Sequence, residues 1–266
     1  MIRYVLEWVL LFLGLCYWAV ASISISLVST LLSVVLPHKQ GLACGRYLLQ
    51  KDFQFFIFLL KISGLLILED QDLKRLSGYK DGVILAPNHT ALWDVVFIIA
   101  KVPEALCIMK ASIIKNPFLG GGAQLAGYIP INSISQMLKL SVKQLKNKET
   151  LLMFPEGTRT KTDAQWLNPL KGGVAVLAKQ TGAAVVPIFM RSNTRFYEKG
   201  WPLYKKPVFP IKINITVGDA VTMQVAETAT EFTQRLEEIY LQELSKPHPL
   251  RRMKNTEYEQ SKYSFK

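Results

Sequence analysis

The sequence predicts an α/β domain, a mostly parallel sheet covered by helices, joined to an N-terminal hydrophobic helical segment that anchors it to a membrane. Three observations predict this. From residue 83 onward, short apolar runs of strand length alternate with helical patterns. No charged residue occurs between Trp8 and Leu36. Basic residues then follow that run, at Lys39, Arg46 and Lys51.

Taken in order, the uncharged run comes first. A spanning helix needs about 20 apolar residues, so the run is long enough to cross a bilayer or to enter and turn back. A cleavable signal peptide is the rival, since Arg3 precedes the run and Ala19-Val20-Ala21 resembles a cleavage site. The apolar residues continue well past that site, which favours a retained anchor. The basic residues after it place its carboxyl side in the cytoplasm. A second apolar stretch, Phe53 to Leu68, is interrupted by Lys61 and reads as an interfacial helix or as a helix packed on the domain core. Residues 1–68 are therefore assigned to membrane-anchoring helices.

Residues 69–82, "EDQDLKRLSGYKDG", are polar and mark the border of the domain, residues 69–246. Strands are expected at Val83–Ala86, Ala105–Met109, Tyr128–Ile131, Leu151–Phe154, Ala184–Phe189 and Ile211–Val217. Helices are expected at Leu92–Ala100, Gln136–Lys146 and Val174–Thr181. Phe232, Leu236, Ile239, Tyr240 and Leu244 recur at helical spacing and predict a closing amphipathic helix. Residues 247–266 form a basic polar tail.

The formal charge of +12 is concentrated after residue 38, because only Arg3 and Glu7 precede it. Such an excess beside a hydrophobic anchor favours anionic headgroups or acidic partners. No recognisable nucleic-acid module accompanies it, so no nucleic-acid partner is expected. Cys16, Cys44 and Cys107 form no paired spacing, and neither a disulfide frame nor a zinc site is indicated.

Two constellations carry chemistry. "LAPNHTALWD", residues 85–94, runs a strand into His89, with Asp94 five residues on. On one straight helix that offset points the two side chains apart. If His89 precedes the helix and Asp94 starts it, the carboxylate reaches back to the ring, fixes its tautomer and leaves the other nitrogen as a base. The plain alternative is a capping Asp beside a surface His. The second constellation, "FPEGTR", closes another strand at Phe154–Arg159. Gly157 allows close backbone approach to a ligand, Arg159 offers a planar fork for phosphate, and Glu156 can accept hydroxyl hydrogens or hold that Arg.

Together these motifs resemble the glycerolipid acyltransferase family, whose commonest members are the 1-acylglycerol-3-phosphate acyltransferases. The resemblance rests on Asn88, His89 and Asp94, on Phe154 to Arg159, and on the apolar strand with a proline, Val185-Val186-Pro187-Ile188. Lys110 and Lys171-Gly172-Gly173 support it, and the likeness covers roughly residues 80–220. It implies His89 and Asp94 as catalytic residues. It implies Asn88, Lys110, Glu156, Gly157, Thr158 and Arg159 as substrate-binding residues. No metal or other cofactor is implied; acyl-CoA or acyl-carrier protein is the co-substrate and membrane lipids are partners. One block departs: "GYIPINS" puts Asn132 and Ser133 where the family usually has Asp and Arg.

The expected function is acyl transfer to the hydroxyl of a lysophospholipid, 1-acylglycerol-3-phosphate giving phosphatidic acid. The setting is a membrane, with the domain on the cytoplasmic side, as in a bacterial inner membrane. Ser133 motivates an alternative acceptor without phosphate, an aminolipid, glycolipid or specialised lipid. A non-catalytic lipid-binding protein is a further alternative. A lipase is disfavoured, because no G-x-S-x-G elbow is present.

Overall fold

The computed structural model describes residues 2–79, 81–116, 120–161, 166–194, 196, 201 and 205–250. Two long helices come first, α1 at Ile2–Val35 and α2 at His38–Ile62. Pro37 stands between them, where its fixed ring favours a new helix start over continuation. The strands are β1 (Leu66–Glu69), β2 (Ile84–Pro87), β3 (Leu106–Lys110), β4 (Ile129–Ile131), β5 (Leu151–Leu152), β6 (Val185–Ser192) and β7 (Ile211–Val217). The remaining helices are α3 (Asp94–Ile99), α4 (Ala111–Ile114), α5 (Gly120–Leu125), α6 (Ile134–Lys146), α7 (Gly173–Thr181) and α8 (Ala229–Leu244). A 3₁₀ helix covers Gln71–Gly78.

All seven strands form one sheet in the order β1-β7-β6-β2-β5-β3-β4. Every neighbouring pair is parallel except β6 with β7. The mostly parallel α/β sheet expected from sequence is thus present. β2 and β6 are buried along their whole length, as central strands flanked by helices must be, whereas β7 alternates buried and exposed positions. Pro130 lies in β4, at the sheet edge, where a missing N–H breaks no ladder.

The sheet has a core on each face. On one, α1, α2, α3 and α5 pack residues such as Leu11, Phe53, Phe56, Phe97 and Ile98 against β7 and β2. On the other, α6, α7 and α8 bring Met137, Leu177, Phe232 and Tyr240 onto β2, β3 and β5. Helix α8 starts with a capping box, Thr228 and Glu231 exchanging side-chain-to-backbone hydrogen bonds.

The apolar stretch Phe53 to Leu68 divides between two elements. Through Ile62 it completes α2, and from Leu66 it is strand β1, so the sheet begins before the border drawn at residue 69. Phe53, Phe56, Ile57 and Leu60 are buried while Phe55, Phe58 and Ile62 are exposed. The reading as a helix packed on the domain core holds for the buried face of α2, and the opposite face is exposed and apolar. The polar segment after β1 also belongs to the domain: Arg75 donates to Val217 O at 2.7 Å and Asp72 accepts from Val217 N–H at 3.3 Å.

Helix α1 is long and apolar enough to cross a membrane over Tyr4–Leu32, with a mean hydropathy of 2.0. One side leans on the domain. Lys206 pairs with Glu7 and lies over the Tyr4 ring, Leu11 is buried, and Trp18 packs against Phe53 and Phe56. The other side leaves Leu13, Val20, Leu27 and Leu31 exposed. Helix α5 fits beneath α1 and α2 because it is glycine-rich. A methyl group on Gly121 would lie 2.7 Å from Ser26 Cα, and one on Gly122 would lie 2.8 Å from Ile25 Cγ2. The tail expected from Pro247 lies outside the described residues beyond Leu250.

Candidate active site

β2 and β5 are parallel neighbours, so the segments leaving their carboxyl ends lie side by side. His89 follows the end of β2, and Phe154 to Arg159 follow β5. This is where open α/β sheets place their binding sites. The rings of His89 and Phe154 stack, with centroids 3.8 Å apart and planes at 23°.

Asp94 is the first residue of α3, and its carboxylate reaches back to the ring, Oδ2 lying 3.0 Å from His89 Nδ1. The same oxygen accepts from Ala91 N–H at 2.8 Å, and Oδ1 accepts from Thr90 Oγ1 at 3.2 Å. Asp94 is only 1% exposed, while the His89 side chain keeps 17% of its surface. A carboxylate at Nδ1 makes that nitrogen the proton carrier, so Nε2 holds the lone pair. The capping alternative is half true: Asp94 does tie down the turn before α3, and it holds the histidine as well.

Glu156 lies beneath this pair. Its Oε1 accepts from His89 N–H at 2.6 Å and its Oε2 from Asn168 N–H at 2.8 Å. The Thr160 hydroxyl sits 3.2 and 3.1 Å from the two oxygens and 2.9 Å from His89 O, which also accepts from Thr160 N–H at 2.6 Å. Burial pushes the Glu156 carboxyl up to about 7. The donated hydrogen bonds from His89, Asn168 and Thr160 oppose the rise, and the nearby Asp94 charge adds to it.

Asn88 is fully buried, and its amide is used up by the protein. It donates to Trp166 O at 2.8 Å and Met190 O at 3.0 Å, and accepts from Met190 N–H at 2.7 Å. Asn88 and Glu156, both expected to touch substrate, are buried and bonded within the protein: the Asn88 side chain joins β2 to β6, and Glu156 joins the His89 turn to the Phe154–Thr160 loop. Glu156 does not hold Arg159, because its oxygens are spent on backbone N–H groups and a hydroxyl. The contributions of Thr160 and Asn168 were not read from the sequence. Thr160 adjoins the motif, but nothing local marks Asn168, which acts from 12 positions beyond Glu156.

The other expected residues lie nearer the surface. Gly157 is exposed with φ +65°, a conformation that favours glycine. A methyl group there would also lie 2.9 Å from Lys171 Cδ and 3.1 Å from its Nζ. Thr158 and Arg159 are half-buried, and Arg159 O accepts from Asn168 Nδ2 at 3.2 Å. Lys110 is exposed at the end of β3. At the end of β4 stand Asn132 and Ser133, both exposed; Ser133 Oγ caps α6 by accepting from Gln136 N–H at 3.2 Å. Among the described residues, no group of three or more His, Cys, Asp or Glu side chains is arranged to hold a metal.

The family model described as Acyltransferase matches residues 67–191. A 1-acyl-sn-glycerol-3-phosphate acyltransferase of Pseudomonas aeruginosa is 27% identical over 83% of this chain and 80% of its own length. The chloroplastic 1-acyl-sn-glycerol-3-phosphate acyltransferase BAT2 of Brassica napus is 26% identical over 70% of this chain. The chain spans about half the length of some of these relatives, 55% of the Brassica protein and 56% of one from Helicobacter pylori. The crystal structure of the 1-acyl-sn-glycerophosphate acyltransferase PlsC from Thermotoga maritima has the same fold, with a TM-score of 0.64 at 19% identity, covering 93% of this chain and 99% of that one. Over residues 67–191, just under half of its length, the chain is thus similar to the acyltransferase family.

Proposed function

We propose that the chain is a membrane-bound O-acyltransferase. In this reading it moves a fatty acyl group from acyl-CoA or acyl-carrier protein to the hydroxyl of 1-acylglycerol-3-phosphate, giving phosphatidic acid. The observation that carries the reading is His89 with Nδ1 held by the buried Asp94 carboxylate. The names of the relatives support the acceptor. Helix α1 and the exposed apolar face of α2 support the membrane setting, and the basic residues after α1 support a domain on the cytoplasmic side of a bacterial inner membrane.

The chemistry follows from the geometry. The acceptor hydroxyl gives its proton to His89 Nε2 as its oxygen attacks the thioester carbonyl. Asp94 stabilises the imidazolium that forms. When the tetrahedral intermediate collapses, the C–S bond breaks and the departing thiolate takes the proton from the imidazolium. An acyl-enzyme is not needed, because the thioester already supplies a good leaving group. Arg159 and Lys110 are the cations assigned to the acceptor phosphate.

A second reading, a lipid alcohol without phosphate, is favoured by the uncharged Asn132 and Ser133 at the end of β4. The test offers purified protein and labelled acyl-CoA or acyl-carrier protein a panel of lysolipids with and without phosphate. Phosphatidic acid should form and be lost in His89→Ala. Product only from neutral acceptors selects the second reading, and no product from any acceptor overturns both.

A further inference from the structure

Lys171 takes no part in the chemistry above, yet its exposed side chain lies over the Gly157 turn of the site. Its main-chain N–H donates to Pro155 O at 2.8 Å, and the preceding N–H, on Leu170, donates to Glu237 Oε2 at 2.8 Å. The first bond fixes the segment before α7 against the loop after β5, and the second ties it to α8. From there the side chain runs over Gly157, so closely that a methyl group on that glycine would lie 2.9 Å from Cδ, 3.1 Å from Nζ and 3.2 Å from Cε. The glycine therefore serves two needs, its positive φ and the passage of this lysine.

None of the ion pairs among the described residues uses Lys171. The nearest carboxylate in sequence across the turn, Glu156, is buried and engaged by His89, Asn168 and Thr160. The exposed Gly157 turn thus has Lys171 lying across it and Arg159 two residues on in sequence, in the loop that also carries the Phe154 ring on which His89 stacks. At the end of β4 there is no cation to share the work, since Asn132 and Ser133 are uncharged and Ser133 Oγ is spent on the α6 cap.

We propose that Lys171 binds the phosphate monoester of the acceptor, so that the Gly157–Thr158 turn reads the headgroup. The inference rests on the acyl-transfer reading and deepens it. In a 1-acylglycerol phosphate the accepting hydroxyl and the phosphate ester sit on adjacent carbons. A hydroxyl at His89 Nε2 therefore places the phosphate within a few bonds of the same loop. An ammonium suits this task as a point charge, beside the planar fork of Arg159.

The experiment uses the full chain in detergent, as wild type, Lys171→Met and Lys171→Arg. Equilibrium binding of lysophosphatidic acid and of neutral monoacylglycerol is followed by tryptophan fluorescence. Lys171→Met should weaken lysophosphatidic acid binding roughly tenfold and shift monoacylglycerol far less, with Lys171→Arg restoring most of the loss. In turnover, the Met variant should raise the acceptor KM more than it lowers kcat. Equal losses on both acceptors, or no preference of the wild type for the phosphate-bearing one, would overturn the proposal. So would a rise in the acyl-CoA KM with the acceptor KM unmoved, since the phosphate met by Lys171 would then be the donor's. If Lys171-dependent phosphate binding is seen but no acceptor is acylated, the acyl-transfer reading fails and this one stands. If acylation proceeds with an acceptor KM indifferent to Lys171, the reverse holds.

Discussion

Replacing Glu156 by glutamine changes one atom and separates two roles of that side chain. In the wild type both carboxyl oxygens accept backbone N–H groups, one from His89 and one from Asn168. Glutamine has only one oxygen, so its NH₂ group must face one of those N–H donors. A buried donor left without an acceptor costs about 1–3 kcal/mol. Against this stands the cost of burying a carboxylate. Its folded value of about 7 lies above its ordinary 4.5, which at about 1.4 kcal/mol per pH unit amounts to about 3 kcal/mol. The sign follows from proton binding. Between pH 4.5 and 7 the folded state holds a proton that the unfolded state has released, so this contribution to stability is complete below 4.5 and is lost as pH rises through 7. Glutamine has no such dependence.

Glu156→Gln should therefore be less stable than wild type at pH 5 and should gain on it by about 3 kcal/mol by pH 8. Denaturant unfolding of both proteins at four or five pH values measures the difference. Its slope isolates Glu156 from every other titrating group, because those groups are common to both proteins. Turnover of the variant should fall at every pH, since the His89 turn has lost an anchor. Unfolding curves that keep a constant separation from pH 5 to pH 8 would refute the assignment of a buried, proton-binding carboxyl.

Three further outcomes are expected. His89→Ala should lower acyl transfer by about 10²–10⁴-fold without unfolding the protein, and Asp94→Asn should lose much of the activity by disturbing the tautomer; initial rates and circular dichroism check both. Asn88→Ala should destabilise by about 3 kcal/mol, because it strands buried partners at Trp166 and Met190. A lowered thermal midpoint would show it, and an unchanged one would count against the role given to Asn88. Ser133→Arg should cost about 1 kcal/mol through loss of the α6 cap and, since the position is exposed, should still improve the KM for lysophosphatidic acid. No gain on that acceptor would favour the neutral lipid alcohol.

What could be read from the sequence depended on whether an element is held by its own pattern or by its neighbours. β7, from Ile211 to Val217, was legible to the residue because its alternation is its burial pattern. The His89–Asp94 contact was legible because an offset of five can close only across a helix start, and α3 does start at Asp94. Helix α5 was not legible: Gly120, Gly121 and Gly122 argue against a helix, and only close packing under α1 and α2 compensates. β1 was hidden because "LILE" continues the apolar run of α2, and the turn that separates them rests on Gly64 at φ +70°. The reversal between β6 and β7 leaves no trace in either strand's periodicity. Asn168 could not be found either, since it reaches Glu156 through a main-chain N–H that any residue but proline would supply.

The residues of the two motifs divide by burial, and the division assigns their work. Asn88, Asp94 and Glu156 are each at most 1% exposed, and their side-chain hydrogen bonds run to other parts of the protein. Their bonds tie them to the His89 turn and its neighbours, so substitutions there are expected to act through the position of His89. Gly157, Thr158, Arg159, Lys110 and Lys171 lie at or near the surface, where a headgroup can reach them. Substitutions in the first group should therefore change kcat or stability for every acceptor alike. Substitutions in the second should change KM and do so according to the acceptor's charge.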